Sequence, residues 1–256
     1  MTIPRLACIC ATYKRTDLLA NALACFLAQD YPIQYRRLFI LDDAEQFYTQ
    51  GNEQWQLNTH PAAKRFPHLP AKNHALIQIA NGWRPDAYVV FEDDDVFLPW
   101  HLSQIASAIT EGVGFVRPAY VYSNYALPKD GSFQREGAEG RFHSSWAFTR
   151  QLYEKVGGYP QTDRLDFDQQ MNGILRDAEP QHLSRQKDDP SYVYRWGGGP
   201  YNGSAAGDGI AFKNHWDEIG RRPAPWVGTL IPKMDYETEQ LMKIPRGRWG
   251  CGTTAV

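Results

Sequence analysis

Four consecutive carboxylates, Glu92 to Asp95, are the residues of this sequence best suited to chemistry. They directly follow the apolar run Tyr88 to Phe91, and Pro99 prevents a strand from continuing far beyond them. Adjacent negative charges repel one another, so a fold that places them at a strand end must offset that cost. A divalent cation that bridges to a phosphate is the usual solution, because hard cations take oxygen ligands. A solvated acidic turn is the alternative, and the position after a buried strand favours a metal site.

Two further apolar runs precede polar residues in the same way. The runs Leu6 to Cys10 and Leu38 to Leu41 have strand length, and the second stops at Asp42-Asp43. Between them lies a helical face made by apolar residues at spacings of one and three, namely Leu18, Leu19, Ala22, Leu23, Phe26 and Leu27. This strand, helix, strand order suits a parallel pair, whose ligands bind beyond the carboxyl ends of the strands.

The helices of the first half are predicted from their boundaries as well as their periodicity. Thr16 is expected to cap a helix that begins at Asp17. A second helix is expected over residues 71–80, with Lys72 near its start, and a third after Pro99. Residues 44–70 show no countable period and are expected to form a loop with short elements. The first 110 residues therefore alternate β and α, as in an open α/β sheet.

The second half of the chain has a different pattern. Short strands are expected over residues 113–116, 119–122 and 145–149, with a polar loop at 128–141. Helices are expected over residues 151–156 and 166–176, and acidic residues open the second of them. Residues 196–209 contain six glycines, which suits either a loop that orders over a ligand or a disordered connection.

The amino-acid composition limits the classes of protein to which the chain can belong. The chain has 256 residues, a formal net charge of −2 and 43% hydrophobic residues, which indicates a folded domain without a global basic field. The four cysteines show no C-x-x-C spacing and are expected to be reduced. The first ten residues lack the pattern of a signal peptide, and no apolar run has membrane-spanning length, so a cytoplasmic protein is expected.

Six short motifs occur in the order of one known family. They are A-T-Y-K-R-T after the first strand, L-D-D-A after the second, A-K-N-H-A-L, F-E-D-D-D-V-F-L-P, F-T-R-Q-L-Y-E-K-V-G-G-Y-P and D-F-D. Over about residues 5 to 176 the chain resembles the family 2 glycosyltransferases of the GT-A fold, and in its shortness it resembles phage-type and base-modifying members. The resemblance implies an α/β fold with a Rossmann-like open mixed sheet flanked by helices. It also implies a catalytic domain over 1–180 (nucleotide half about 1–100, acceptor half about 101–180) and a C-terminal extension over 181–256 packed on it.

The resemblance implies roles for individual residues around a nucleotide and a metal ion. Thr12 and Tyr13 would line the base, Asp43 would accept from the N–H of a uracil-like ring, and Arg15 and Lys72 would lie near the nucleotide or its diphosphate. The family's D-x-D-D motif corresponds to residues 92–95. In that motif Asp94 would bind the metal, Asp93 would lie near the ribose, and either Asp95 or Asp93 would give a second metal ligand. Glu92 stands where the family has aspartate, so its role stays open.

The resemblance also implies residues for the chemical step. The acceptor hydroxyl must lose its proton as it attacks, and in the family the base is the Asp of an E-D pair after the G-G-aromatic motif. Leu165-Asp166 stands there, so Asp166 is the expected base and Asp168 the reserve. An ordinary helix N-cap is the alternative for Asp166. His215 is a candidate third metal ligand, and His143 and Trp146 either face the acceptor or belong to the core.

The expected activity is that of an inverting glycosyltransferase that depends on Mn²⁺ or Mg²⁺. Its donor would be a nucleotide-diphosphate sugar, most simply a UDP-sugar, and its acceptor a hydroxyl of a glycan or of a hydroxymethylated DNA base. The arginines at 221, 222, 246 and 248 would suit a DNA backbone, whereas the net charge of −2 argues against it. A sugar-phosphate nucleotidyltransferase and a non-catalytic nucleotide-sugar-binding module are the alternatives.

Overall fold

The computed structural model describes most of the chain, namely residues 2–64, 66–124, 133–164, 166–179, 183–186, 189–195, 226–243 and 245–246. Twelve strands lie in this part: β1 (Leu6–Thr12), β2 (Arg36–Asp42), β3 (Gln50–Gly51), β4 (Trp55–Thr59), β5 (Ala87–Val90), β6 (Val96–Phe97), β7 (Phe115–Pro118), β8 (Tyr120–Ser123), β9 (Gln134–Gly137), β10 (Ala147–Thr149), β11 (Leu183–Gln186) and β12 (Tyr192–Tyr194). The α-helices described are α1 (Thr16–Leu27), α2 (Leu69–Asn81), α3 (His101–Thr110), α4 (Arg150–Lys155), α5 (Phe167–Ala178) and α6 (Tyr236–Met242).

Eight of the strands form one sheet, in the order β11-β7-β10-β5-β1-β2-β4-β3. The central strands β5, β1, β2 and β4 are parallel, whereas β10 runs antiparallel to both β5 and β7. The parallel register pairs Thr12 with Asp42 and Ile9 with Val90, so β1, β2 and β5 end at one edge of the sheet. This architecture confirms the predicted open mixed α/β sheet flanked by helices.

Apolar side chains cover both faces of the sheet. Along β1, Leu6 and Cys8 point into one core cluster and Ala7 and Ile9 into the other, as the two-residue period of a strand requires. Helices α1 and α3 contribute to the first cluster, and α2, α4 and α5 contribute to the second. A strand buried on both faces has no exposed side to carry polar residues, so the polar residues of these strands lie at their ends.

A second sheet of four strands lies beyond the acidic run, in the order β6-β12-β8-β9. Strand β6 begins at Val96, directly after Asp95, and pairs antiparallel with β12. The acidic run is therefore the connection between the two sheets. Beyond residue 180, β11 pairs with β7 of the main sheet and β12 pairs with β8. The division of the chain into 1–180 and 181–256 stays a prediction.

Some expectations about local structure were wrong. The first helix begins at Thr16, its N-cap position is Arg15, and no side chain caps it, so Thr16 is not the cap. Residues 55–59 form a strand of the main sheet, within the segment 44–70 that was expected to be a loop with short elements. Cys8, Cys10 and Cys25 are buried free thiols, and Cys251 lies outside the described residues. Within the part of the chain described, no helix is long and apolar enough to cross a membrane.

Candidate active site

The acidic run lies at the edge where β1, β2 and β5 end. After β5 the backbone N–H of Phe91 still donates to Ile9 O (2.9 Å), so the chain stays beside β1 up to the first carboxylate. The backbone then turns at Asp93 and Asp94 and enters the second sheet. Across this turn the four side chains make different sets of contacts.

Three of the four carboxylates converge. One oxygen each from Glu92, Asp94 and Asp95 lies within 4.8 Å of the others. An ion equidistant from three oxygens 4.8 Å apart would lie about 2.8 Å from each, so movements of less than about 1 Å would bring all three to the roughly 2.1 Å of a Mg²⁺–O bond. Oxygen donors alone are the ligands that Mg²⁺ and Mn²⁺ prefer. The residues thus fit a divalent cation, and the cluster contains Asp94 and Asp95 from the sequence prediction together with Glu92.

Arg15 joins the loop after β1 to the acidic run. Its guanidinium forms ion pairs with Asp93 (2.8 Å) and Asp94 (2.7 Å). The Oγ1 of Thr12 donates to the other oxygen of Asp93 at 2.6 Å. Burial raises the pKa of Asp93 to about 6 even though Arg15 and Thr12 favour its charged form. Asp93 therefore belongs to the contact between β1 and the acidic run, outside the three-carboxylate cluster.

Glu92 is held by two residues that lie shortly before β10. Nδ1 of His143 lies 2.9 Å from one of its oxygens, and Oγ of Ser144 donates to the other at 2.5 Å. The opposite ring nitrogen of His143 lies 3.0 Å from the hydroxyl of Tyr159. Burial acts to raise the pKa of Glu92, but these hydrogen bonds and the charge of His143 outweigh it, and the net shift is downward. Glu92 is thus kept ionised, as a metal ligand must be.

Asp95 is held by β12 of the second sheet and by the residue that follows β12. The hydroxyl of Tyr192 donates to one oxygen at 2.5 Å, and the backbone N–H of Arg195 donates to the other at 3.1 Å. Burial and the neighbouring charge of Asp94 raise the pKa of Asp95 well above its ordinary value. A divalent cation bound beside Asp95 would act in the opposite direction and favour its charged form.

The predicted nucleotide residues form a connected group next to this cluster. Asp43 directly follows β2. One of its carboxylate oxygens lies 2.9 Å from Nζ of Lys72, and the other accepts a hydrogen bond from the backbone N–H of Phe66 at 3.3 Å. The ammonium groups of Lys14 and Lys72 lie 5.0 and 5.3 Å from the ring centre of Tyr13. Asp43 has no exposed surface, so a nucleobase would reach it only after a covering group moves aside.

Asp166 lies at the start of α5, and its side chain is 47% exposed. Arg164 donates two hydrogen bonds to it, at 2.8 and 2.9 Å, and Gln170 donates a third. The hydrogen bonds from Arg164 lower the pKa of Asp166 to about 2. The next residue, Phe167, packs edge-on against His143 with ring centres 5.4 Å apart, so α5 starts beside the residue that holds Glu92.

The two side chains that were predicted near the acceptor, those of Trp146 and His143, are both buried. Trp146 is completely buried, packs against Phe115 and donates its Nε1–H to Arg141 O, so it cannot contact an acceptor here and belongs to the core. His143 is also buried, and its role at the acceptor stays a prediction. His215 and Leu165 lie outside the described residues.

Four contacts of the site were missed by sequence reasoning. They are those of His143 and Ser144 with Glu92, and those of Tyr192 and Arg195 with Asp95. The partners are 51 to 100 residues apart in sequence, and they carry no motif of their own. No local signal could have revealed them, because Glu92 meets its partners only when β10 pairs with β5, and Asp95 meets its partners only when β12 pairs with β6.

Comparisons with known proteins identify the fold. No protein-family model matches the sequence, and no curated protein gives a significant match. Among solved structures, S. aureus TarS 1-349 in complex with UDP-GlcNAc gives a TM-score of 0.60 at 12% identity, over 84% of this chain and 65% of that one. The complex of the same protein with UDP gives 0.57 at 11% identity, over 75% and 60%.

A mannosyltransferase is also similar. PcManGT from Pyrobaculum calidifontis, in complex with GDP-Man and Mn²⁺, gives a TM-score of 0.55 at 18% identity, over 80% of this chain and 60% of that one. The chain therefore spans 60% to 65% of the length of these three structures. The similarities show that the chain has the GT-A glycosyltransferase fold.

Proposed function

We propose that this protein is a metal-dependent glycosyltransferase that moves a sugar from a nucleotide-diphosphate sugar to an acceptor hydroxyl. The observation that carries the proposal is the convergence of Glu92, Asp94 and Asp95 at the carboxyl edge of the sheet, beside Arg15. In open α/β sheets this edge is where ligands bind. The GT-A fold gives independent support, because it is shared with structures that contain UDP-GlcNAc or GDP-Man with Mn²⁺.

The three-carboxylate cluster would hold the metal ion. Bound there, a divalent cation would neutralise negative charge that builds on the diphosphate as the sugar leaves. The chain's own part is to keep Glu92 ionised through His143 and Ser144 and to hold Asp94 against Arg15. His215 stays a proposed additional ligand.

The nucleotide would bind on the β1 and β2 side of the cluster, in contact with Thr12, Tyr13, Arg15, Asp43, Lys72 and Asp93. Arg15 is the natural partner of a diphosphate, because a guanidinium binds phosphate oxygens in pairs. Tyr13 offers a ring for the base. Asp43 would accept from a uracil N–H once Lys72, now 2.9 Å from it, is displaced toward the diphosphate, and the donor would then be a UDP-sugar.

Asp166 would take the proton of the acceptor hydroxyl, with inversion at the sugar carbon. A base with a pKa near 2 accepts protons poorly, so the ion pair with Arg164 must open when the acceptor binds. The exposure of both side chains makes that opening inexpensive. Asp168, also exposed, is the alternative base.

The acceptor is proposed to be a saccharide hydroxyl. The alternative, a hydroxymethylated DNA base, depended on the resemblance to base-modifying members and on basic residues of the tail. Of these, Arg246 lies 3.7 Å from Asp189, so a carboxylate already faces its charge. The arginines at 221, 222 and 248 lie outside the described residues.

The test is release of nucleoside diphosphate from a panel of UDP- and GDP-sugars with Mn²⁺ or Mg²⁺, with and without saccharide acceptors and hydroxymethylated DNA. We expect release that needs the metal and rises with an acceptor. Asp166→Asn should lower the turnover rate about a hundredfold or more, whereas Asp168→Asn should leave it close to that of the wild type.

The same panel separates the alternatives. Release of pyrophosphate from a sugar phosphate and a nucleoside triphosphate would identify a nucleotidyltransferase instead. Binding of a donor with no turnover under any condition would indicate a binding module. If no donor is bound or consumed with any divalent ion, the proposal is wrong.

A further inference from the structure

Arg195, one residue after β12, makes three contacts around the acidic run. Its Nε donates to the backbone oxygen of Asp94 at 3.0 Å, and its backbone N–H donates to the carboxylate of Asp95 at 3.1 Å. Its NH1 donates to Asp235 at 2.9 Å. The side chain is 8% exposed, and the charges of Asp235, Asp95 and Glu237 raise its pKa against the effect of burial.

Asp235 is itself firmly anchored. Its carboxylate caps α6 by accepting from the N–H of Thr238 at 2.7 Å, and its backbone N–H donates to the side chain of Asn21 in α1 at 3.1 Å. Nearby, the N–H of Lys233 donates to Ala20 O at 3.0 Å. Arg195 therefore links the turn that carries two candidate metal ligands to two helices of the domain.

Electrostatics alone would not favour a guanidinium here. A positive charge next to the three-carboxylate cluster repels a divalent cation, so its removal would tighten metal binding if charge were its only effect. The planar fork of an arginine can, however, hold a backbone oxygen and a carboxylate in fixed directions, which the single ammonium of a lysine cannot do. Groups that orient metal ligands in this way strengthen the site.

We propose that Arg195 is a positioning residue for the metal site, which it connects to α6 through Asp235. The inference rests on the proposed function, since it needs a divalent cation at Glu92, Asp94 and Asp95. It predicts that loss of the guanidinium weakens metal binding, the opposite sign to the electrostatic effect.

The experiment is a calorimetric titration of the complete chain with Mn²⁺, which needs no substrate. Arg195→Lys keeps the charge and Arg195→Met removes it, and we expect both to lose about tenfold or more in Mn²⁺ affinity. Asp235→Asn keeps the helix cap while it weakens the ion pair, and we expect about a threefold loss.

Arg36→Met is the matched control. Arg36 is also buried and bonds a backbone oxygen, Gln29 O at 2.6 Å, but it lies at the opposite end of β2. The Arg36→Met substitution should lower the melting temperature and leave Mn²⁺ affinity unchanged.

The outcomes separate the two proposals. Unchanged or tighter Mn²⁺ binding by Arg195→Lys or Arg195→Met would overturn the inference. If those variants do not fold, the Mn²⁺ affinity of Asp235→Asn replaces theirs, and unchanged or tighter binding by that variant would overturn the inference. If the wild-type chain binds no Mn²⁺, the inference fails, whereas the proposed function is decided separately by the donor panel. If the wild-type chain binds Mn²⁺ and all variants have the same Mn²⁺ affinity, only the inference fails.

Discussion

His101 provides a test of the packing around the acidic run. It is the first residue of α3, is almost fully buried beside Phe91 and Phe97, and its Nδ1 lies 2.9 Å from Oγ of Ser191. Burial lowers its pKa from 6.5 to about 3, so the folded protein keeps this ring neutral where the unfolded chain would protonate it.

The sign and size of the effect follow from that difference. Since the folded pKa is the lower one, the stability contribution is fully present above pH 6.5 and is lost as the pH falls toward 3. Below pH 6.5 each fall of one pH unit lowers the free energy of unfolding by up to about 1.4 kcal/mol. From pH 7 to pH 5 this one group should therefore reduce the free energy of unfolding by about 2 kcal/mol.

The measurement is urea unfolding at pH 7 and pH 5 for the wild type and for His101→Gln, which cannot titrate but can still bond Ser191. Between the two pH values the free energy of unfolding of the wild type should fall by about 2 kcal/mol more than that of the variant, because every other group titrates in both proteins. Equal losses would refute the reasoning and would mean that His101 is hydrated in solution.

Three further perturbations test the site and the core. Asp94→Ala should weaken Mn²⁺ binding at least about tenfold in calorimetry, with the circular dichroism spectrum unchanged, because a carboxylate ligand and its charge are lost; an unchanged titration would contradict the metal assignment. Arg164→Gln should raise the pKa of Asp166 from about 2 toward the ordinary value of about 3.9 in a carboxyl ¹³C NMR titration; an unchanged value would show that the ion pair is absent in solution. Phe91→Ala should cost about 3–5 kcal/mol in urea unfolding, because Phe91 stacks on Phe97 at 3.7 Å in the core; a loss under 1 kcal/mol would mean that this stack does not form.

The central strands could be predicted from sequence because their burial dictates their residues. Strands β1, β2 and β5 are buried on both faces, so each is a short apolar run that stops at polar residues. Strand β4 escaped prediction because its burial alternates over five residues, with only Trp55 and Leu57 fully inside. A period of two repeated so few times does not stand out from a polar loop.

The candidate site could be predicted only in part. The positions of Asp94 and Asp95 follow from the end of β5, but the four side chains of the run separate at a turn whose shape the second sheet sets. Glu92 joins the cluster because His143 and Ser144, far away in sequence, hold its oxygens. Trp146 was a candidate for the acceptor side because of its neighbourhood in sequence, and the fold buries it instead.

The most direct test of the central claim is the affinity of UDP measured by calorimetry with excess Mn²⁺ and with a chelator. A cation held between the carboxylate cluster and the diphosphate should make UDP bind about tenfold or more tightly with Mn²⁺ present, and Asp94→Ala should lose that dependence. Equal UDP affinity in the two conditions, or a Mn²⁺ dependence that Asp94→Ala retains, would contradict a metal-dependent nucleotide-sugar site at Glu92, Asp94 and Asp95.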